Sequence, residues 1–164
     1  MATYRCFEDL PVWQASIDLA DGVYSVTESE AFHKRFSLRD QMERSGLSIS
    51  SNIAEGFERG TREEFLTFLY IARGSSGELR SQLAFSARRG LLAQPVYADL
   101  HTQCLSVSKQ LGAFTGYLRD SEWKGQRDFT AKVKASKQRE EDHERFMREL
   151  EEISRRAREK RGGF

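Results

Sequence analysis

The chain is short of most features that identify a protein at sight. It has two cysteines in 164 residues, Cys6 and Cys104. They share no short spacing and follow no legible secretory leader, which argues against a disulfide framework and leads us to expect a reduced, cytoplasmic setting. No apolar run approaches the roughly 20 residues that a membrane-spanning helix needs, and mean hydropathy is −0.64, so no membrane partner is expected. Charge of one sign is lacking too. Residues 1–120 hold 13 basic and 15 acidic side chains, a net of −2, and residues 121–164 hold 13 and 10, a net of +3. A domain that grips polyanions by bulk electrostatics is usually far more basic, so any contact of the first part with nucleic acid must come from local patches.

What is present is helical periodicity. The organising stretch runs from Leu38 to Ser76. Ser37-Leu38-Arg39-Asp40 reads as an N-cap followed by an acidic residue in the first turn, and Thr61-Arg62-Glu63-Glu64 as a capping box, so the pattern predicts two helix starts. Between them Gly56-Phe57-Glu58-Arg59-Gly60 offers two residues free to take positive φ, which predicts a tight reversal and an antiparallel hairpin. The faces of this hairpin are small and polar. Leu38, Met42, Ile49 and Ile53 alternate with Ser45, Gly46, Ser48, Ser51 and Asn52, and Phe65, Leu69, Ala72, Leu79 and Leu83 are interrupted by Arg73-Gly74-Ser75-Ser76-Gly77-Glu78. Gly and Ser inside a helix cost up to about 1 kcal/mol each against Ala. Close approach of the two helices is the expected compensation, with Asn52, Glu55, Arg73 and Ser76 forming a structural polar seam. On that reading, Glu55→Ala lowers stability by roughly 1–3 kcal/mol.

The rest of the chain falls in around the hairpin. Asp9 can cap a first helix carrying Pro11 in its opening turn, with Trp13, Ile17, Ala20 and Tyr24 as its seam. A connector from Thr27 to Phe36 contains Phe32 and Phe36, candidates to staple the next helix. Gly90 is a natural stop after Arg88 and Arg89, and Pro95 opens a helix whose Leu100, Cys104, Val107, Leu111, Phe114 and Leu118 form a heptad-like seam. These patterns predict an all-α fold: an up-and-down antiparallel four-helix bundle over residues 1–119, a polar linker over 120–127, and a long charged helical extension over 128–164. In the extension, opposite charges at i,i+4 (Glu141 with Arg145, Glu144 with Arg148, Glu152 with Arg156) support a helix. Phe146, Met147, Leu150 and Ile153 make a narrow apolar stripe suited to a partner.

Chemistry is scarce. A di-iron bundle site needs two Glu-x-x-His pairs facing one core. Glu30 with His33 and Glu140 with His143 have the spacing but lie off the predicted seams, and His101 sits near a helix start. Gly74-Ser75-Ser76-Gly77 lacks both the G-x-S-x-G order and the lysine of a phosphate loop. The expectation is therefore no catalytic residue, no metal and no cofactor. Candidate nucleic-acid contacts are Arg59, Arg62, Arg88 and Arg89 at helix ends, and Lys132, Lys134, Lys137, Arg155, Arg156 and Arg158 on the extension, joined there by Lys160 and Arg161.

Three stretches carry a resemblance. Phe7-Glu8-Asp9-Leu10-Pro11-Val12-Trp13-Gln14, Asn52-Ile53-Ala54-Glu55-Gly56, and Ile71-Ala72-Arg73-Gly74-Ser75-Ser76 with Glu78-Leu79 resemble, in that order, a bacterial four-helix-bundle family. Its founding members are encoded in intervening sequences within large-subunit ribosomal RNA genes, and the accessory variability determinant of diversity-generating retroelements looks like a relative. The resemblance covers roughly Phe7 to Leu118. It implies a bundle that assembles as a pentameric barrel without known enzymatic activity. In the retroelement branch it implies binding to a reverse transcriptase and its RNA. Two functions are thus expected: a non-catalytic, homo-oligomeric (pentameric) assembly or adaptor module, or an RNA- or DNA-binding accessory factor of a reverse transcriptase.

Overall fold

The computed structural model describes residues 4–161, with side chains for all of these except 126–129 and 149–161. A 3-10 turn at Phe7–Asp9 precedes α1 (Pro11–Thr27), α2 (Glu30–His33), α3 (Phe36–Arg59), α4 (Arg62–Arg88), α5 (Gln94–Asp120) and α6 (Gln126–Arg161). The chain divides into two compact units, Met1–Gln126 and Arg127–Phe164. Within the first, α3 packs against α4 and α1, and α5 packs against α4 and α1, so the four long helices close into a square. Short connections between α3 and α4 and between α4 and α5 make those neighbours antiparallel. The fold is the expected all-α, up-and-down bundle followed by a long charged helix, with α2 as a one-turn insertion between α1 and α3.

Local chemistry explains the boundaries. The N-cap half of the box forms: the Thr61 hydroxyl accepts from the Glu64 N–H at 3.3 Å, while the Glu64 carboxylate accepts from that hydroxyl at 2.6 Å. At the far end of α4, Gly90 takes φ +69° while the Gly90 and Leu91 N–H groups return to the Ala87 and Ser86 carbonyls, a Schellman stop. Three expected details are corrected. Helix α3 starts at Phe36 with Arg35 as an uncapped N-cap, so Ser37 lies inside the helix. Leu10, not Asp9, precedes α1, because Phe7–Asp9 is already turned. Of the two hinge glycines only Gly60 has positive φ, +83°; Gly56 is helical and buried.

The core is drawn from one face of each bundle helix. That of α1 is Val12, Ser16, Leu19, Ala20, Val23 and Thr27. The expected seam of Trp13, Ile17, Ala20 and Tyr24 is rotated off it: Ile17 is exposed, and Trp13 and Tyr24 are half-buried. Ser16 and Thr27 hid the true face, since hydroxyls broke the apolar pattern, yet each is buried and satisfied, Ser16 by the Trp13 carbonyl of its own helix and Thr27 by the Tyr24 carbonyl or a carboxylate of α3. Helix α5 buries Leu100, Cys104, Val107, Leu111 and Leu118 as expected. Thr115 joins them, and Phe114 packs edge-on against Phe65 at 5.5 Å between ring centres. In the connector Phe32 is fully buried, whereas Phe36 is 75% exposed and staples nothing. The described part of α6 pairs Arg145 with Asp142 at 2.7 Å rather than with Glu141. Glu152 and Arg156 lie outside the described side chains.

Candidate functional site

The α3–α4 pair holds the four residues expected to form the polar seam. Its inner seam is a serine ladder. Asn52 Nδ2 donates to the Ser48 carbonyl at 2.7 Å and to the Ser48 hydroxyl at 3.0 Å; that hydroxyl meets Ser75 Oγ at 2.9 Å, and Ser75 returns to the Ile71 carbonyl. One turn further, Gln82 Nε2 donates to Ser45 Oγ at 3.1 Å, which lies 3.5 Å from the Glu78 carboxylate. Each bond spans or flanks the gap between the helices, and short side chains are what let hydroxyls meet across it. Gly56 completes the approach at the turn end. A Cβ there would stand 2.6 Å from Phe68 Cβ and 3.0 Å from Phe65 Cδ2.

The expected seam of Asn52, Glu55, Arg73 and Ser76 does not form as one constellation. Asn52 belongs to the ladder. Glu55 and Arg73 do not: both are exposed, and Glu55 pairs with Arg59 at 2.6 Å on the surface of α3. They do not meet one another: the Arg73 guanidinium lies beside Gly112 of α5, where a Cβ would stand 3.8 Å from it. Ser76 faces α5, where it is buried; its hydroxyl donates to the Cys104 carbonyl at 3.2 Å, and the Cys104 thiol donates back to the Ser76 carbonyl at 3.1 Å. Burial pushes the Cys104 thiol up, the Ser76 hydrogen bond opposing it, which suits an inert core cysteine.

A second polar tie joins α1 to α3. Glu43 accepts from Thr27 Oγ1 at 2.7 Å and from Arg39 Nε at 2.8 Å. Burial alone would raise the Glu43 carboxyl, but these two donors and the Arg39 charge outweigh it, and its pKa is lowered. Sequence pattern missed this site because Glu43 is neither on a motif nor at a capping position.

The outward face of α4 behaves differently from its seam. Tyr70, Gly74, Gly77, Ser81 and Phe85 recur at helical spacing and span about 22 Å. Tyr70 and Phe85 are 52% and 54% exposed, and Ile71 beside them 47%. A Cβ at Gly74 or Gly77 would meet nothing within 4 Å, and neither glycine has positive φ. The close-packing explanation therefore holds for Gly56 and the serines and fails for these two glycines. A shallow groove between α3 and α4, lined by Ser37, Leu38, Gln41, Ser81, Gln82 and Phe85, runs alongside the upper part of this face.

The helix-end arginines do not form one patch. Arg59 and Arg62 lie at the α3–α4 turn, Arg88 and Arg89 at the α4–α5 turn; the length of α4 separates them by about 39 Å. Arg59 is held by Glu55, by Glu64 at 3.8 Å and over the Phe68 ring at 5.0 Å. Arg62 donates to the Ser121 carbonyl at 2.8 Å and pairs with Glu63 at 3.2 Å. Arg88 and Arg89 are exposed. On α6, Lys132, Lys134 and Lys137 are exposed, as are Phe146 and Met147. Arg155, Arg156, Arg158, Leu150 and Ile153 lie outside the described side chains. Among the described residues, no three His, Cys, Asp or Glu side chains converge as metal ligands. Among the same residues, no helix is long and apolar enough to cross a membrane.

These features define a helical bundle with polar interhelical ties and an uncharged, partly apolar outer stripe. The chain belongs to the 23S rRNA-intervening sequence protein family, whose model matches residues 8–113. No curated protein matches it. It is similar to a protein of unknown function from the S23 ribosomal protein family of Bacteroides thetaiotaomicron, solved by crystallography at 1.70 Å resolution. The two share 25% identity with a TM-score of 0.60, over 65% of this chain and 99% of that one.

Proposed function

We propose that this protein is a non-catalytic, homo-oligomeric helical-bundle module for assembly, in which the outer face of α4 receives a second copy of the chain. The observation that carries this reading is the pair Gly74 and Gly77. Each interior helical glycine costs about 1 kcal/mol against alanine, and nothing within one copy needs the missing Cβ atoms. A helix of another copy, laid between Tyr70 with Ile71 and Phe85, would use the absent side chains for close backbone approach and cover exposed aromatic surface. The family resemblance supplies the pentamer as the number of copies. Phe146 and Met147, with Leu150 and Ile153 of the same sequence stripe, then serve as the adaptor surface for another protein, such as a reverse transcriptase, in the cytoplasm.

Nucleic-acid binding is the weaker reading, since two of the four bundle arginines are engaged in ion pairs and the other two lie at the opposite end. One pair of experiments separates the readings. In sedimentation velocity, Gly74→Arg should convert an oligomer to a monomer with unchanged helical content, and an unchanged oligomer would remove α4 from the interface. In filter binding at two salt concentrations, submicromolar salt-sensitive RNA binding by the wild-type chain would favour the alternative.

A further inference from the structure

Residues 121–125 have the composition of a linker, Ser-Glu-Trp-Lys-Gly, yet they are attached to the bundle. The Arg62 N–H, an orphan donor at the start of α4, bonds the Lys124 carbonyl at 3.1 Å. The Arg62 guanidinium bonds the Ser121 carbonyl at 2.8 Å. Trp123 packs edge-on to Phe65 at 6.1 Å, extending the Phe57–Phe65–Phe114 cluster. Gly125 is buried with φ +118°, and a Cβ on it would run into the Gly60 carbonyl and stand 2.7 Å from Thr61 Cα. Backbone therefore lies directly on backbone at the α3–α4 turn, a fit that only glycine allows.

The attachment is tight in geometry and small in extent. Ser121 and Trp123 are half-buried, Glu122 and Lys124 exposed, and Gly125 has no side chain to bury. The segment is held by two hydrogen bonds from Arg62 and one apolar side chain, Trp123, and segments held so lightly open locally without unfolding the core. We propose that residues 121–125 form a clasp, a conformational device that is engaged in this structure and can release as a unit, uncapping the Arg62 N–H and freeing the chain that leads into α6. This inference is independent of the self-association reading, because it uses no residue of the outer face of α4.

The test uses the full chain, with wild type, Gly125→Ala and Arg62→Ala compared. Two readouts follow the clasp, amide hydrogen exchange at residue 62 and the rate of trypsin cleavage after Lys124. A non-glycine residue at this φ, with backbone overlap, should raise both by about tenfold or more. Arg62→Ala should raise both by less, and buried amides of α1 and α5 should keep their protection in each variant. Unchanged exchange and cleavage in Gly125→Ala would overturn the proposal. So would loss of protection throughout the bundle in both variants, because the segment would then be inseparable core. If Gly125→Ala alone unfolds the bundle, Arg62→Ala decides by the same criteria.

Discussion

Replacing Gly56 with alanine sets two opposed effects against each other at one position. Helix propensity favours the change: an interior glycine in α3 gives up about 1 kcal/mol that alanine would recover. Packing opposes it. The new methyl would lie 2.6 Å from Phe68 Cβ, an atom fixed to the α4 backbone that cannot swing away, and 3.0 Å from the Phe65 ring. Carbon atoms sit comfortably at about 3.5–4.0 Å, so α3 and α4 must part by roughly 1 Å at this end. That movement strains the edge-to-face contacts of Phe65 with Phe57 at 5.7 Å and with Phe114 at 5.5 Å. Overpacking of this kind costs about 1–3 kcal/mol, and each aromatic pair carries a further 0.5–1.5 kcal/mol or so. After the propensity gain, the expected loss is about 1–3 kcal/mol, or a fall in Tm of roughly 4–10 °C for a bundle of this size. Urea and thermal unfolding followed by far-UV circular dichroism measure it. Gly74→Ala is the matched control, with the same propensity gain and open space, so monomer stability should rise by up to about 1 kcal/mol. A Gly56→Ala variant as stable as wild type would refute the close-approach argument.

Other substitutions follow from the same geometry. Glu55→Ala should cost no more than about 0.5 kcal/mol in urea unfolding, because its pair with Arg59 is solvated; a loss above 1 kcal/mol would restore Glu55 to a buried seam. Thr61→Ala should cost about 1 kcal/mol through loss of the α4 cap, and Thr61→Ser little. Glu43→Gln should destabilise by about 1 kcal/mol at neutral pH by weakening the tie of α1 to α3. Because the folded pKa of Glu43 is depressed, that stability is present above the ordinary carboxylate value near 4.5 and is lost as pH falls through the folded value. The Tm difference between wild type and Glu43→Gln should therefore close only in acid; a constant difference down to low pH would contradict the assignment.

The long helices were legible from sequence because their stop signals are local. Gly60, Gly90, Pro95 and the Thr61–Glu64 box act through the backbone of their own neighbourhood, and each marks a boundary in the structure. What stayed hidden depends on rotation about a helix axis or on distant partners. Ser16 and Thr27 look polar in sequence, but Ser16 bonds within α1 and Thr27 reaches Glu43 of α3, so both can be buried and the periodicity of α1 pointed to the wrong face. Glu55 and Arg73 look like buried partners only if their faces are assumed. Ser45, Ser48 and Ser75 read correctly as packing residues of the α3–α4 seam, whereas Ser51 is exposed and Gly74 and Gly77, of similar composition, face open space. Residues 121–125 read as a linker because polar composition cannot reveal a backbone contact with the α3–α4 turn.

Association is the purpose proposed for this bundle. Sedimentation equilibrium of the wild-type chain over a range of micromolar concentrations tests that directly. A mass that is a multiple of 18.9 kDa, with the pentamer as the expected multiple, is the predicted result. A single species of 18.9 kDa across the whole range would contradict it.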